Sequence, residues 1–402
     1  MRLVLTAHTA YPHFIGGREH HIHGLALGLA RNHHVEVIAG GTDRTPRRTR
    51  IGGYTLVTLP MRTLRVSRSP LQIYRIPRGY GRYLSHASPD IVHAFEYGSF
   101  TTDAAALYAA REDVPFLMTV YGYQLRSLVL RTGRRIYDRL VGRRLIHLAE
   151  RVFYPSDLQR QELIRALGGG RGVNGDAQLV WQPNSYTPLA PPSPEVLARL
   201  RRLHRLEGSF VLLTVARLLS RKGLDVLLGS LRRLAARGQL ANLRLLIVGP
   251  DCGSRRPLRR QVARYGLQRR VTFVGAVPHD DVSAYFHLCD LFVLPSLYEG
   301  LPLALLEAMA CGRPAIFSDL DPARRVFRSG QDVMLVPPGD ERVLARAIAA
   351  LMADAGLRVS LGEAARIRAR AFTADLEVES LERTYAQVLA RRANGSGSGG
   401  SC

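Results

Sequence analysis

The feature that most constrains this chain is an alternation. Short apolar runs of strand length keep changing places with longer helical stretches, and the series occurs twice. In the first half the runs fall at 2–7, 35–39, 54–58, 91–94, 116–120 and 152–154, with a helix expected over 20–31. Strands that alternate with helices build a parallel sheet covered on both faces. Residues 184–194 are rich in Pro and Ser and read as a linker. A second series follows at 210–215, 243–248, 271–274, 291–294, 315–317 and 333–336. The pattern predicts two α/β domains, 1–187 and 188–374. A last helix over 375–392 carries Val378, Leu381, Tyr385, Val388 and Leu389 on one stripe. The Gly/Ser-rich end, 393–402, reads as a flexible tail.

With 402 residues, 46% hydrophobic and 22% charged, the chain has apolar material for two cores. This excludes collagen, a disulfide scaffold and wholesale disorder. No stretch of about 18 apolar residues runs without charge, which argues against an integral membrane protein. The first apolar run is too short for a signal peptide. Cys252, Cys289, Cys311 and Cys402 fit neither zinc spacing nor a disulfide framework, so the expected compartment is the cytosol. The net charge of +23 points to an anionic partner. Of the 56 basic residues all but Lys222 are arginine. One lysine surviving such a bias suggests a place where a planar guanidinium will not serve.

Three segments can carry chemistry. In the first, a strand ends at Leu294, a turn holds Glu299, Gly300 and Leu301, and a helix is expected to open with Pro302 at its first position. The N–H groups of Leu303 and Ala304 would point out of that helix start and favour a phosphate. Glu307 sits in an apolar helical run, where a bare charge would be costly. Beside a phosphate, Glu299 and Glu307 make sense as acceptors for sugar and ribose hydroxyls. The second segment puts Arg217 just after a strand and Lys222 at the next helix start. Cations there, at the carboxyl edge of a parallel sheet, suit a diphosphate leaving group. The third is 15–21, where Gly16 and Gly17 would let backbone approach a bound group closely. The Walker spacing is missing, so it is not a P-loop. His20, His21 and His23 lack a nearby acidic or cysteine partner at ligand spacing, so no metal is expected.

Together the segments resemble the retaining glycosyltransferases of family 4 (glycosyl transferases group 1), which have the GT-B fold. Residues 16–21 resemble the family's Gly-Gly-x-Glu-x-His loop, and 89–93 its Pro-Asp-Val-Val-His strand. Arg217 with Lys222-Gly223 resembles its diphosphate clamp, and Glu299 and Glu307 match its Glu-x7-Glu signature. Two departures stand out. Tyr121 occupies the place of the family's histidine near the transferred sugar, and 183–187 departs from its Pro-Asn-Gly-Val-Asp linker.

The resemblance implies two Rossmann-like domains facing a cleft, with the 375–392 helix crossing back to the N-terminal domain. It implies a nucleotide-sugar donor held mainly by the C-terminal domain and a glycan or lipid-linked acceptor held by the N-terminal one. Arg217 and Lys222 would neutralise the diphosphate, helped by Leu303 and Ala304. Glu299 would hold the sugar, Glu307 the ribose, and Gly17 would approach the phosphate. Backbone from Val274 to Val277 would read the base, and His21 and Tyr121 would lie on the acceptor side. No cofactor or metal is expected. Front-face attack, with the leaving phosphate oxygen taking the acceptor proton, is the expected route to retention.

Ten arginines and one acidic residue, Asp43, fall within 43–88: Arg44, Arg47, Arg48, Arg50, Arg62, Arg65, Arg68, Arg75, Arg78 and Arg82. Interleaved apolar residues make this either a solvated loop-and-helix face or a dock for an anionic membrane surface. A nucleic-acid binder would also be basic, but no helix-turn-helix, zinc finger or aromatic RNA-binding signature is present. An epimerase or phosphorylase of the same fold is the other alternative; the two cations with two carboxylates favour transfer.

Overall fold

A computed structural model describes the chain except residues 15, 66–72, 122–135, 167–177, 241 and 397–402. It divides into two compact units: Met1–Asn184 with Ala374–Cys402, and Ser185–Thr373.

Among the described residues the first unit has nine strands: β1 (Arg2–Thr9), β2 (His34–Gly41), β3 (Arg47–Ile51), β4 (Tyr54–Arg65), β5 (Ile73–Pro77), β6 (Ile91–Phe95), β7 (Phe116–Thr119), β8 (Arg151–Tyr154) and β9 (Leu179–Trp181). Their order is β3-β4-β2-β1-β6-β7-β8-β9, with β5 on β4. Pairing is parallel from β4 through to β9. Successive residues of one strand feed opposite layers, as a period of two requires. Leu3, Leu5, Val35 and Val37 join one core and Val4, Ile38, Val92 and Met118 the other.

The basic stretch keeps a helix, Tyr80–Ala87, but holds more strand than the one run expected at 54–58. β3 and β5 both run antiparallel to β4, so much of 43–88 is β-ribbon. Charge on β3 protects an edge strand from pairing with another chain. The first helix runs Gly17–Leu29, starting earlier than the 20–31 expected.

The C-terminal helix, Ala374–Ser396, belongs to this unit. Val378, Leu381 and Tyr385 enter the same core as Ile22, Leu25 and Leu29 of the first helix. The two helices approach closely at Gly28, where a Cβ would lie 2.6 Å from Val378. Ion pairs pin its ends: Arg31–Asp375 at 2.7 Å and Arg392–Glu150 at 2.9 Å. Residues 393–396, expected in the tail, continue the C-terminal helix. Cys402 lies outside the described residues.

His93, from the strand motif, is a structural tie. It is 1% exposed, with Nδ1 2.7 Å from the Tyr385 hydroxyl and Nε2 2.8 Å from the Thr119 hydroxyl.

The second unit has six parallel strands among the described residues: β10 (Phe210–Val215), β11 (Leu243–Val248), β12 (Val271–Gly275), β13 (Leu291–Leu294), β14 (Ala315–Ser318) and β15 (Met334–Val336). Their order is β12-β11-β10-β13-β14-β15. In both sheets the order reverses beside the first strand, between β1 and β6 and between β10 and β13. Such a reversal opens a crevice at the carboxyl ends of the two strands, where open α/β sheets bind ligands. Among the described residues no helix is long and apolar enough to cross a membrane.

Candidate functional site

In the second unit the crevice lies between the loops that follow β10 and β13. A short 3-10 turn, Ser220–Lys222, leads into Gly223 and the helix Leu224–Ala235. Lys222 thus ends that turn rather than opening the helix. Gly223 has φ +63°, and a Cβ there would sit 1.9 Å from the Pro295 carbonyl oxygen, so the two loops meet where only glycine fits. Leu297 N–H donates to Arg221 O at 2.8 Å. This closure brings Lys222 Nζ onto Glu299 Oε1, with both side chains 13% exposed. Ser296 Oγ donates to the same carboxylate oxygen at 3.4 Å. Arg217, three residues before the 3-10 turn, is exposed and free to swing toward an anion.

The helix after β13 runs Leu303–Ala310, with Pro302 as its cap and not its first residue. Pro302 is extended at φ −77°, ψ 129°, and its carbonyl accepts from Leu305 and Leu306. The N–H groups of Leu303 and Ala304 therefore lie at the open helix start, with no partner in the preceding turn. Both residues are half-buried, as is Gly300, whereas Leu301 is buried.

Glu307 faces inward and is 5% exposed. Burial raises its carboxyl to about 7. His279 Nε2 stands 3.5 Å from it, and burial lowers that imidazole. His279 was not singled out from the sequence. It opens the helix that follows the Val274–Val277 segment, so the segment expected to read a base and the carboxylate expected to hold a ribose are linked through one side chain. Gly249, with φ +140°, lets the end of β11 pass the Ala216 carbonyl, 2.0 Å from where a Cβ would be.

The first unit has its own charged crevice, largely unforeseen. Arg18, beside the Gly16-Gly17 turn, donates to Glu96 at 2.5 Å, to Glu19 at 2.8 Å and to Thr9 at 3.0 Å. Thr9 donates to Glu19 at 2.7 Å. Burial opposes ionisation of Glu19, but the Arg18 guanidinium prevails and holds its carboxyl below the ordinary value. Glu96, immediately after β6, has φ +155°, a value non-glycine residues seldom adopt. Its Oε2 is buried and bonds nothing among the described residues, which leaves an acceptor at the crevice. Gly16 is extended, with φ −169°, so its backbone angle does not itself require glycine. Ile15 and Gly122 lie outside the described residues.

His21 is 4% exposed. Its Nδ1 is 2.6 Å from the Tyr121 hydroxyl and its Nε2 2.7 Å from Glu377 Oε2. Glu377 comes from the C-terminal helix, 356 positions away, and no local pattern could have found it. His23 bonds the Tyr54 hydroxyl at 2.9 Å. Among the described residues no group of three metal-ligating side chains comes together.

Comparison with known proteins settles the family. The model of Glycosyltransferase Family 4 matches residues 15–172, and that of Glycosyl transferases group 1 matches residues 199–368. The chain belongs to the group 1 glycosyltransferases. Phosphatidyl-myo-inositol mannosyltransferase of Mycobacterium leprae is 29% identical over 312 residues, 76% of each chain. Sucrose-phosphate synthase of Thermosynechococcus elongatus superposes with a TM-score of 0.76 at 24% identity, over 97% of this chain and 99% of that one. Anabaena HepE in complex with UDP-glucose superposes with a TM-score of 0.71 at 18% identity, over 96% and 99%. The fold is GT-B, and the enzyme is a glycosyltransferase; the comparisons lend no support to the epimerase, phosphorylase and nucleic-acid readings.

Proposed function

We propose that this glycosyltransferase moves a hexosyl group, with retention, from a UDP-sugar or related nucleoside-diphosphate sugar to a lipid-linked or glycan hydroxyl. The observation that carries the donor assignment is the Lys222–Glu299 pair in the β10/β13 crevice, beside the open helix start at Leu303. Donor diphosphate would draw Lys222 and Arg217 onto its oxygens, with the Leu303 and Ala304 N–H groups completing the cradle. Glu299, released from Lys222, would accept from hydroxyls of the sugar. Glu307 would accept from the ribose, and backbone near Val274 and Val277 would meet the base. Lys222, Arg217 and the helix start supply positive charge for the leaving diphosphate, so the reading requires no metal ion. The leaving phosphate oxygen takes the acceptor proton on the same face. A relative with a bound UDP-sugar and another whose name carries a phospholipid acceptor support the two substrate classes.

A thermal-shift screen with UDP-, GDP- and ADP-sugars tests the donor. One series is expected to stabilise the protein by about 2.7 kcal/mol at a hundred times its Kd. No shift with any nucleotide sugar at millimolar concentration, and no release of nucleotide, would remove the reading.

Glu307 adds a pH dependence. Its carboxyl titrates at about 7 in the ligand-free protein, and ribose hydroxyls donate best to the ionised form. Nucleotide affinity is therefore expected to weaken as pH falls below 7, approaching tenfold per unit. In Glu307→Gln affinity should be lower and flat from pH 5.5 to 8. Calorimetric Kd values across that range decide it, and a flat wild-type profile would count against the ribose role.

A peripheral membrane position is the second part of the proposal. Arg44, Arg47, Arg48, Arg50, Arg78 and Arg82 are all exposed. The side chains of Arg62, Arg65, Arg68 and Arg75 lie outside the described residues. Co-sedimentation with anionic vesicles is expected to be strong at low salt and to fade as the screening length shrinks to about 8–10 Å. Replacing Arg44, Arg47 and Arg50 with Gln should weaken it further. Arg48 is spared because it pairs with the buried Glu36. Equal binding to neutral vesicles would argue against docking.

A further inference from the structure

In the first unit the helical stretch 136–148 spends polar and small residues on the core and leaves large apolar ones outside. Asp138 is buried and accepts from the Tyr97 hydroxyl at 2.9 Å. Gly142 is buried against the same hydroxyl, which a Cβ there would strike. Tyr137 donates to Asp103 at 2.6 Å and ties the stretch to the helix Phe100–Arg111. Ile136, Leu140 and Leu148 face solvent, as does Leu107 of that neighbouring helix, at 39% to 67% exposure. These are four of the nine large hydrophobics exposed among the described residues, gathered on two helices in contact. A single exposed leucine needs no explanation, but a cluster does. The face is also basic. Arg139 and Arg144 are exposed beside the leucines, and neither pairs with a carboxylate among the described residues. Asp138, the one acidic residue of 136–148, is turned inward. The helix Tyr80–Ala87, with its exposed Arg82, also packs against Phe100–Arg111. The end of the basic stretch 43–88 and this face therefore share one helical layer, over the same core.

We infer that the outward face of 136–148, with Leu107, is an anchor that enters the interface of an anionic bilayer. Leucine and isoleucine side chains go into the acyl boundary, while Arg139 and Arg144 lay their stems along it and keep their charges among the headgroups. A second copy of the chain fits the face less well. In a twofold contact the same face meets itself, so arginines would be set against arginines. The anchor rests on the peripheral position proposed above and deepens it. Exposed charge alone holds a protein at a surface, whereas an inserted apolar face also fixes which side of the unit meets the lipid.

The test uses the full chain with vesicles of phosphatidylcholine and phosphatidylglycerol in equal parts. Trp181 is the only tryptophan, so in a Trp181→Phe background a tryptophan placed elsewhere reports its own surroundings. With Leu140→Trp in that background, emission is expected to shift to the blue on binding and to be quenched by lipids brominated on their acyl chains. Leu376→Trp serves as the control and should show neither. Leu376 is exposed on the C-terminal helix, which packs on the other core of the same unit. Leu107→Ser combined with Leu140→Ser should weaken sedimentation with the vesicles at least about tenfold, the scale of one leucine side chain kept out of the boundary. Both side chains are exposed, so the melting temperature should stay near that of the wild type. Replacing Arg44, Arg47 and Arg50 with Gln should weaken binding yet leave the blue shift of the bound Leu140→Trp protein unchanged. A bound Leu140→Trp protein that still emits as in water would show docking by charge alone. That result overturns the anchor and leaves the membrane position standing. Wild-type affinity in the double serine variant, or equal quenching at positions 140 and 376, would do the same. If no form sediments with these vesicles, the membrane position and the anchor fall together. A dimer that the two serine substitutions dissociate, with no response to lipid, would assign the face to a second copy instead.

Discussion

Lys222→Ala is expected to lower kcat/KM by roughly two to three powers of ten, the scale of about 2.7–4 kcal/mol lost with one preorganised donor to a developing oxyanion. Two effects act together. The leaving diphosphate loses a compact cation that can follow one oxygen as the glycosidic bond breaks. Glu299, only 13% exposed and held by Lys222, is left as a carboxylate facing the same phosphate. The second effect makes the pair non-additive. Lys222→Ala with Glu299→Ala removes the stranded charge along with the cation, so the double variant should be less impaired than the product of the single losses. Glu299→Ala alone should cost about 1.5–3 kcal/mol, the range of a charged hydrogen bond. Lys222→Arg keeps the charge but must fit a planar fork where Gly223 already admits no Cβ against Pro295. It should fall between wild type and alanine. Turnover and nucleotide-diphosphate affinity for the four variants are the measurements. Wild-type turnover in Lys222→Arg would show that the lone lysine is an accident of composition.

The β10/β13 crevice proposed for the donor could be anticipated because its parts are local. Lys222, Glu299 and Leu303 each follow an apolar strand within ten residues, and strand ends in a parallel sheet are brought together by topology alone. The central strands were readable for the same reason, being buried on both faces and apolar throughout. β3 was not: Arg-Arg-Thr-Arg-Ile carries the charge that guards an edge. β5 was also missed, as part of a stretch read for its arginines rather than for strand pairing. Pro302 was misplaced by one position because a proline fits either the cap or the first turn. Arg18, Glu96 and Glu377 escaped for a different reason. Each has a partner 78 to 356 positions away, and no periodicity records such pairs. His279 left one signal, a histidine at a helix start directly after the Val277 loop.

Acid should weaken the N-terminal unit through His93. In the folded chain burial lowers this imidazole from 6.5 to about 3, while the unfolded chain keeps the ordinary value. Between those limits the unfolded state binds one proton more than the folded state. Stability therefore rises with pH, or falls on acidification, by up to about 1.4 kcal/mol per pH unit beginning near 6.5. Its hydrogen bonds do not explain the cost. The hydroxyls of Tyr385 and Thr119 can accept as well as donate, so an imidazolium would keep both partners. What it lacks is solvent, at 1% exposure. Glu19, held below its ordinary value, acts in the same sense at lower pH. Glu307 acts in the opposite sense. Its raised carboxyl favours the folded state at acid pH and gives up that contribution as pH rises through about 7. Because Glu307 lies in the second unit, whole-chain melting would partly hide the His93 effect. Hydrogen exchange resolved by peptide, in denaturant at pH 7 and pH 5, separates the two. Peptides of β6 and the C-terminal helix should lose protection on acidification in the wild type. In His93→Gln, which cannot be charged, they should lose little further protection, whatever the variant costs at pH 7. Equal pH sensitivity in both proteins would show that His93 is not the group that titrates.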